Sequence, residues 1–444
     1  MAGDLPTNYC KDMARKYTLF IFILWIIHQT SAGHLSVPAE GPDSPADVSL
    51  TSQKIPSVGE FKGLVILAEF SDTPFTVPDP THRFWAMLNM ERYGYQGAKG
   101  CVRDYFITNS DSLFFPGFDV VGPVKLSKPM NYYGQNGENG EEIHAGEMVT
   151  EACRLAASEV DFSGYDSNND GQVDLVYIFF ASYCENENQH KPEYIWAHAG
   201  SVADSCLTLH NKTIARYACS SEYIGKDEEE QPQMATIGTF CHEFSHVLGL
   251  PDFYNTLSGS GLTPGSLSLM DRGNYLDNGR CPAGYSAFEK EFVGWTEIPA
   301  FEPCDSALHV SLHPVSSTTG NSTMWSAFKI GIPGTKEYFY MENRQAENWD
   351  RYLPATGLFI YRVDLSDEEA WDRNLVNTNA SHPYYEVIRY TVYAKIDYPY
   401  IPFPGKDNKT FFSSPPAWNG KDAGFELQSI EERDSQVSLQ LIRK

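Results

Sequence analysis

The sequence predicts an α+β fold in two parts: a mixed helix-and-strand region over residues 60–302, then a β-rich region over 303–444 with the texture of a β-sandwich. Three observations support this. Leu64-Val65-Ile66-Leu67-Ala68 and residues 174–181 are short, strongly apolar runs, as buried strands require. Helical patterns follow each of them, with a long amphipathic one at 141–158 that is rich in Glu, Ala and Met. From about Pro303, alternation broken by Gly, Pro and Asn takes over at 324–332, 338–342, 357–364 and 386–395.

The chain opens with Lys11, Arg15 and Lys16, an apolar run at 17–27, and the small triplet Thr30-Ser31-Ala32. Basic, apolar, then small is the order of a secretory signal peptide, expected over 1–32. The run is shorter than the roughly 18–20 residues of a membrane span. No later stretch is long and apolar enough to be one, so an extracellular protein without stable membrane insertion is expected. Residues 33–59, rich in Pro, Ser and Asp, read as a linker or short pro-segment. A strand at 64–68 comes next, then helices at 82–92 and 101–108, short strands at 118–121 and 124–127, and the helix at 141–158. A central strand at 174–181 and helices at 234–249 and 285–293 complete the first part.

With 33 basic and 58 acidic residues the chain carries a formal net charge of −25. Removing residues 1–32, with three basic and two acidic residues, leaves about −26. Such a surface repels phosphate backbones and anionic lipid, which sets nucleic acid aside as a partner. Beyond Cys10, eight cysteines remain: Cys101, Cys153, Cys184, Cys206, Cys219, Cys241, Cys281 and Cys304. An even number in an exported chain predicts disulfides for most of them. No CxxC pair occurs, so a zinc–thiolate site is not expected. Sequons begin at Asn211, Asn321, Asn379 and Asn408.

The chemistry concentrates in Thr239-Phe240-Cys241-His242-Glu243-Phe244-Ser245-His246-Val247-Leu248-Gly249-Leu250-Pro251-Asp252. Two histidines four apart on a helix share one face, so His242 and His246 can bind one tetrahedral zinc. Glu243 then lies beside the metal and can serve as general base, taking a proton from the water there. Gly249 suits a left-handed helix end, and Pro251 forbids continuation. The turn brings Asp252 back as the third ligand, at the spacing found in metzincins. A glutamate on a later helix, Glu289 or Glu291, is the alternative. Met270, in Ser268-Leu269-Met270-Asp271, offers the apolar floor of a Met-turn, and Tyr275 could stabilise an oxyanion. Cys241 points about 100° away from His242 on the helix and should not bind the same metal. His198 reads as a structural histidine.

Asp166, Asn168, Asp170 and Asp174 fall at positions one, three, five and nine of an EF-hand-like loop, with Gly171 at six and the Gln172 carbonyl at seven. A calcium site is therefore expected there. Tyr177 stands at position twelve, where the bidentate glutamate belongs.

These residues resemble the immune inhibitor A family of secreted zinc metalloproteases, over 63–72, 102–106, 161–181, 242–254, 266–295 and 337–364. The stretch 242–252 with Met270 is the specific part. The resemblance implies a metzincin-like catalytic domain, a following β-rich region, and broad zinc-dependent endopeptidase activity on protein or peptide substrates. Arg362 departs from it, standing where the family often carries His, and the region before Gly63 is short for a prodomain. Two other functions fit the residues: a secreted binding or adhesion protein on an inactive protease fold, and a zinc hydrolase acting on non-peptide substrates.

Overall fold

The computed structural model describes residues 55–137, 142–186, 194–202, 207–226, 231–258, 261, 263–316, 325–389 and 398–444. The signal-peptide expectation, most of the linker, Cys206 and Asn321 lie outside the described residues.

A mixed sheet organises the first part. Its strands are β1 (Gly59–Glu69), β2 (Phe114–Lys125), β3 (Val176–Tyr183) and β4 (His198–Ser201), with the hairpin β5 (Leu207–Leu209) and β6 (Lys212–Ile214) beside it, then β7 (Arg216–Lys226) and β8 (Pro232–Met234). The order is β2-β1-β3-β7-β4, with β8 also paired to β7. β2, β1, β3 and β7 run parallel, while β4 and β8 are antiparallel to β7. Both faces are covered, which is why β1 and β3 read as continuous apolar runs. Val65 and Leu67 face one core with Phe84 and Met87 of α1 (Pro80–Asn89), Tyr105 and Phe106 of α2 (Val102–Asn109), and the motif helix. Leu64, Ile66 and Ala68 face the other, against Met148, Val149 and Ala152 of α3 (Ala145–Ala156).

The short strands expected at 118–121 and 124–127 are one strand, β2. It pairs with β1 throughout, and the register shift between Ile66 and Ala68 falls beside Gly122-Pro123, where the proline has no N–H to give.

In the second part, β9 (Leu308–Leu312), β10 (Ala327–Gly331), β11 (Glu337–Arg344), β12 (Gly357–Asp364), β13 (Tyr385–Val387), β14 (Phe412–Ser413), β15 (Phe425–Arg433) and β16 (Gln436–Arg443) form two antiparallel four-stranded sheets. Their orders are β10-β11-β12-β13 and β14-β15-β16-β9. Phe339, Met341, Leu358 and Ile360 from one sheet share a core with Phe425, Leu427, Leu439 and Leu441 from the other. The alternate residues Tyr340, Phe359, Tyr361 and Val363 belong instead to the core of the motif helix, so the two parts are joined by a common interior. The sequence reading missed the β15–β16 hairpin, because a bulge between Gln428 and Glu431, with Ser429 at φ 50°, interrupts its alternation.

The pairing expected for most cysteines is corrected. Cys101, Cys153, Cys219, Cys241, Cys281 and Cys304 are free thiols, all but Cys304 buried. They are spread over two separate cores, Cys101, Cys241 and Cys281 in one and Cys153 and Cys219 in the other, where they pack as small apolar side chains. Among the described residues, no helix is long and apolar enough to cross a membrane.

Candidate metal centre

The motif occupies α4 (Ile237–Val247), every residue of which is buried. Phe240 and Phe244 hold it against the sheet, in contact with Tyr177, Phe179 and Phe118. The helix ends as expected: Gly249 takes φ 103°, and the Leu250 N–H reaches back to the Ser245 carbonyl at 3.0 Å. Near its start, Gly238 lies so close to the 272–279 segment that a Cβ there would sit 2.0 Å from the Asn274 carbonyl oxygen. Gly238→Ala is therefore expected to destabilise the protein by about 1–3 kcal/mol. Urea unfolding would show a lowered midpoint, and an unchanged midpoint would contradict this packing.

His242, His246 and Asp252 converge, each offering one ligand atom within 4.8 Å of the others. Asp252 Oδ1 lies 3.2 Å from His242 Nε2 and 3.4 Å from His246 Nε2. All three side chains are buried. The Nδ1 atom of His242 is 2.7 Å from the Leu269 carbonyl, and that of His246 is 2.7 Å from the Leu250 carbonyl. A carbonyl only accepts, so both Nδ1 atoms carry the proton, and both Nε2 atoms face Asp252, each able to hold a proton or a metal ion. Asp252 Oδ1 is buried without a hydrogen-bond donor. Such an oxygen, facing two imidazole nitrogens, is suited to a cation.

The electrostatics agree. Burial would push the Asp252 carboxyl up, but His246 and His242 pull it well below the usual carboxylate range. Burial would lower the His242 imidazole, and the nearby Asp252 and Glu243 carboxylates raise it instead. Glu243 is buried on α4 between the two histidines in sequence.

Met270 is fully buried in the same core, and the residue before it supplies the carbonyl that holds His242. The Phe253 N–H donates to the Met270 carbonyl at 2.8 Å, tying this loop to the Asp252 segment. Neither alternative third ligand joins the group. Glu289 caps α5 (Ala287–Phe292) and accepts from the Ser268 hydroxyl at 2.5 Å, and Glu291 accepts from Lys329 and Tyr340. Tyr275 is 45% exposed, and its hydroxyl lies 3.4 Å from Asn186 Nδ2. His198 is held by the Trp196 carbonyl and the Tyr217 hydroxyl, as a structural histidine should be. Cys241 is buried in the core and lies outside the ligand group.

The loop expected to bind calcium closes on itself. Asp166 accepts from the Asp170 and Gly171 N–H groups and from Lys212 Nζ at 2.5 Å, and Asp174 accepts from the Ser167 N–H. Asp170 accepts from the Asn168 amide and the Gln172 N–H. Lys212 thus brings one positive charge against Asp166. Among the described residues, Asp166, Asp170 and Asp174 do not gather their oxygens into one ligand group.

Two neighbours of the site escaped the sequence reading. The Tyr254 phenol is pushed up by burial and then by the Asp252 and Glu243 charges beside it. Asn374, 122 residues downstream, donates from Nδ2 to Asp252 Oδ2 at 2.7 Å and accepts the Asp252 N–H at 2.5 Å.

Residues 57–296 match the catalytic-domain model of the immune inhibitor A peptidase M6 family. The pre-pro-metalloprotease PrtV of Vibrio cholerae is 26% identical over 270 residues, covering 52% of this chain and 29% of that protein. Immune inhibitor A of Bacillus thuringiensis subsp. alesti is 26% identical over 139 residues, covering 30% of this chain and 20% of that protein. The chain thus spans less than a third of the length of either relative. Among solved structures, OgpA of Akkermansia muciniphila aligns with TM-score 0.32 and 14% identity, over 72% of this chain and 89% of that one. With more than half of its residues inside the matched catalytic domain, this chain belongs to the immune inhibitor A peptidase M6 family.

Proposed function

We propose that the protein is an exported zinc-dependent endopeptidase whose metal is held by His242, His246 and Asp252. The observation that carries this is the approach of Asp252 Oδ1 to both imidazole nitrogens. Atoms about 2.0–2.2 Å from a tetrahedral zinc lie roughly 3.3–3.6 Å from one another. The distances of 3.2 and 3.4 Å from Asp252 Oδ1 to the two Nε2 atoms are close to those edges. Two neutral imidazoles and one carboxylate leave a bound zinc with net positive charge.

Zinc, when bound there, would acidify a water and polarise the scissile carbonyl. Glu243 accepts the proton of the attacking water on its carboxylate and returns it to the leaving amine nitrogen. Met270 supports the ligands from below as a Met-turn. The strand order β2-β1-β3-β7-β4 with an antiparallel edge supports a metzincin-like reading of residues 60–302. The two facing sheets support a β-sandwich reading of 303–444. Export rests on the N-terminal pattern of basic, apolar and small residues. Burial of Cys101, Cys153, Cys219, Cys241 and Cys281, which keeps oxidants away from them, is compatible with it.

The test is a digest of denatured casein by the purified protein. Cleavage should stop with a chelator and return with added zinc. Casein left intact by zinc-replete protein would favour a binding protein or a non-peptide hydrolase.

A further inference from the structure

We propose that Asn374 is the positioning residue of the metal centre: it fixes which oxygen of Asp252 faces the histidines. This rests on the zinc reading above. Asn374 is 2% exposed and meets Asp252 at two points, accepting the main-chain N–H and donating to Oδ2. Oδ2 is thereby occupied, and Oδ1 is left toward His242 and His246. The Tyr254 phenol also hydrogen-bonds the Asp252 carboxyl, but without the Asn374 donor on Oδ2 the carboxylate can rotate about χ2 and lose the shared position between the two imidazoles.

The backbone is built for the contact. Asn374 takes φ 59°, a left-handed conformation that asparagine tolerates and most side chains resist. Its carbonyl accepts the Thr256 hydroxyl at 3.0 Å. It follows the short helix α6 (Glu368–Asp372), whose Trp371 packs on Phe253 and Phe288. Three residues on, Asn377 donates to the Phe253 carbonyl, and Asn255 donates to the Thr378 carbonyl. Residues 252–256 are thus gripped by a segment that lies beyond the family match at 57–296. The β-rich part of the chain completes the site that the motif helix begins.

The experiment titrates zinc into metal-free protein against a competing chelator, for the parent, Asn374→Gly, Asn374→Asp and Asn255→Ala. Thermal melts of the metal-free forms and visible spectra of the cobalt-loaded forms accompany it. Asn374→Gly keeps the left-handed backbone and removes both contacts. Asn374→Asp keeps the acceptor for the Asp252 N–H and loses the donor to Oδ2. In both, the zinc dissociation constant should rise about 10–100-fold, the usual effect of losing a residue that holds a ligand in place, and the cobalt spectrum should change. Asn255→Ala, which loosens the same segment without touching Asp252, should lower the melting temperature and keep the parent's zinc affinity and spectrum. If Asn374→Gly fails to fold, Asn374→Asp carries the comparison. Parent-like affinity and spectrum in the folded Asn374 variants would overturn the proposal, as would equal weakening by Asn255→Ala. A parent that binds no zinc overturns the metal reading, and this proposal with it.

Discussion

Glu243→Ala is expected to lower proteolysis by about 10²–10⁴-fold, the usual contribution of a general base, with zinc still bound at the parent's stoichiometry. The separation of the two effects follows from how the ligands are held. His242 and His246 are oriented by the carbonyls of Leu269 and Leu250, and Asp252 by Asn374. None of these contacts passes through Glu243, which is buried on the same helix but outside the ligand group. Glu243→Gln, close in shape and unable to take the proton, should fall as far. Metal content by mass spectrometry and initial rates on a quenched peptide check both halves. Full activity would sink the general-base role, and zinc lost with the carboxylate would make Glu243 a ligand.

The second large effect is at Asp252. Asp252→Ala should lose metal and activity together, with a loss of affinity beyond the roughly 10–100-fold expected from a residue that only orients a ligand. His246→Ala should behave alike. Glu291→Gln is the matched control, because Glu291 is committed to Lys329, Tyr340 and the Ile298 N–H. It should keep its zinc. Equilibrium dialysis against buffered zinc reads all three. Tight zinc binding by Asp252→Ala, or zinc lost in Glu291→Gln, would move the third ligand to the later helix.

Much of this site was legible because it is local. The four-residue spacing of His242 and His246, the glycine stop and the turn to Asp252 are all set within one helix and its exit. Buried strands such as β1 announced themselves as unbroken apolar runs. What was not legible depends on distance along the chain. Asn374 meets Asp252 across 122 residues, and nothing in its own neighbourhood marks it. The acidic loop reads as a calcium site from its own residues, and Lys212 on Asp166, 46 residues later, could not be seen there. An even count of cysteines suggested pairing, yet parity carries no information about which core each thiol enters. The bulge at Ser429 hid a hairpin whose strands alternate regularly on either side of it.

The proposed zinc lies between two imidazoles of α4 and the carboxylate that follows the glycine turn. Diffraction from zinc-loaded crystals, recorded on both sides of the zinc absorption edge, tests it most directly. A single strong anomalous peak within bonding distance of His242 Nε2, His246 Nε2 and Asp252 Oδ1 is the predicted result. No peak there, or a peak ligated by Glu289 or Glu291 in place of Asp252, would contradict it.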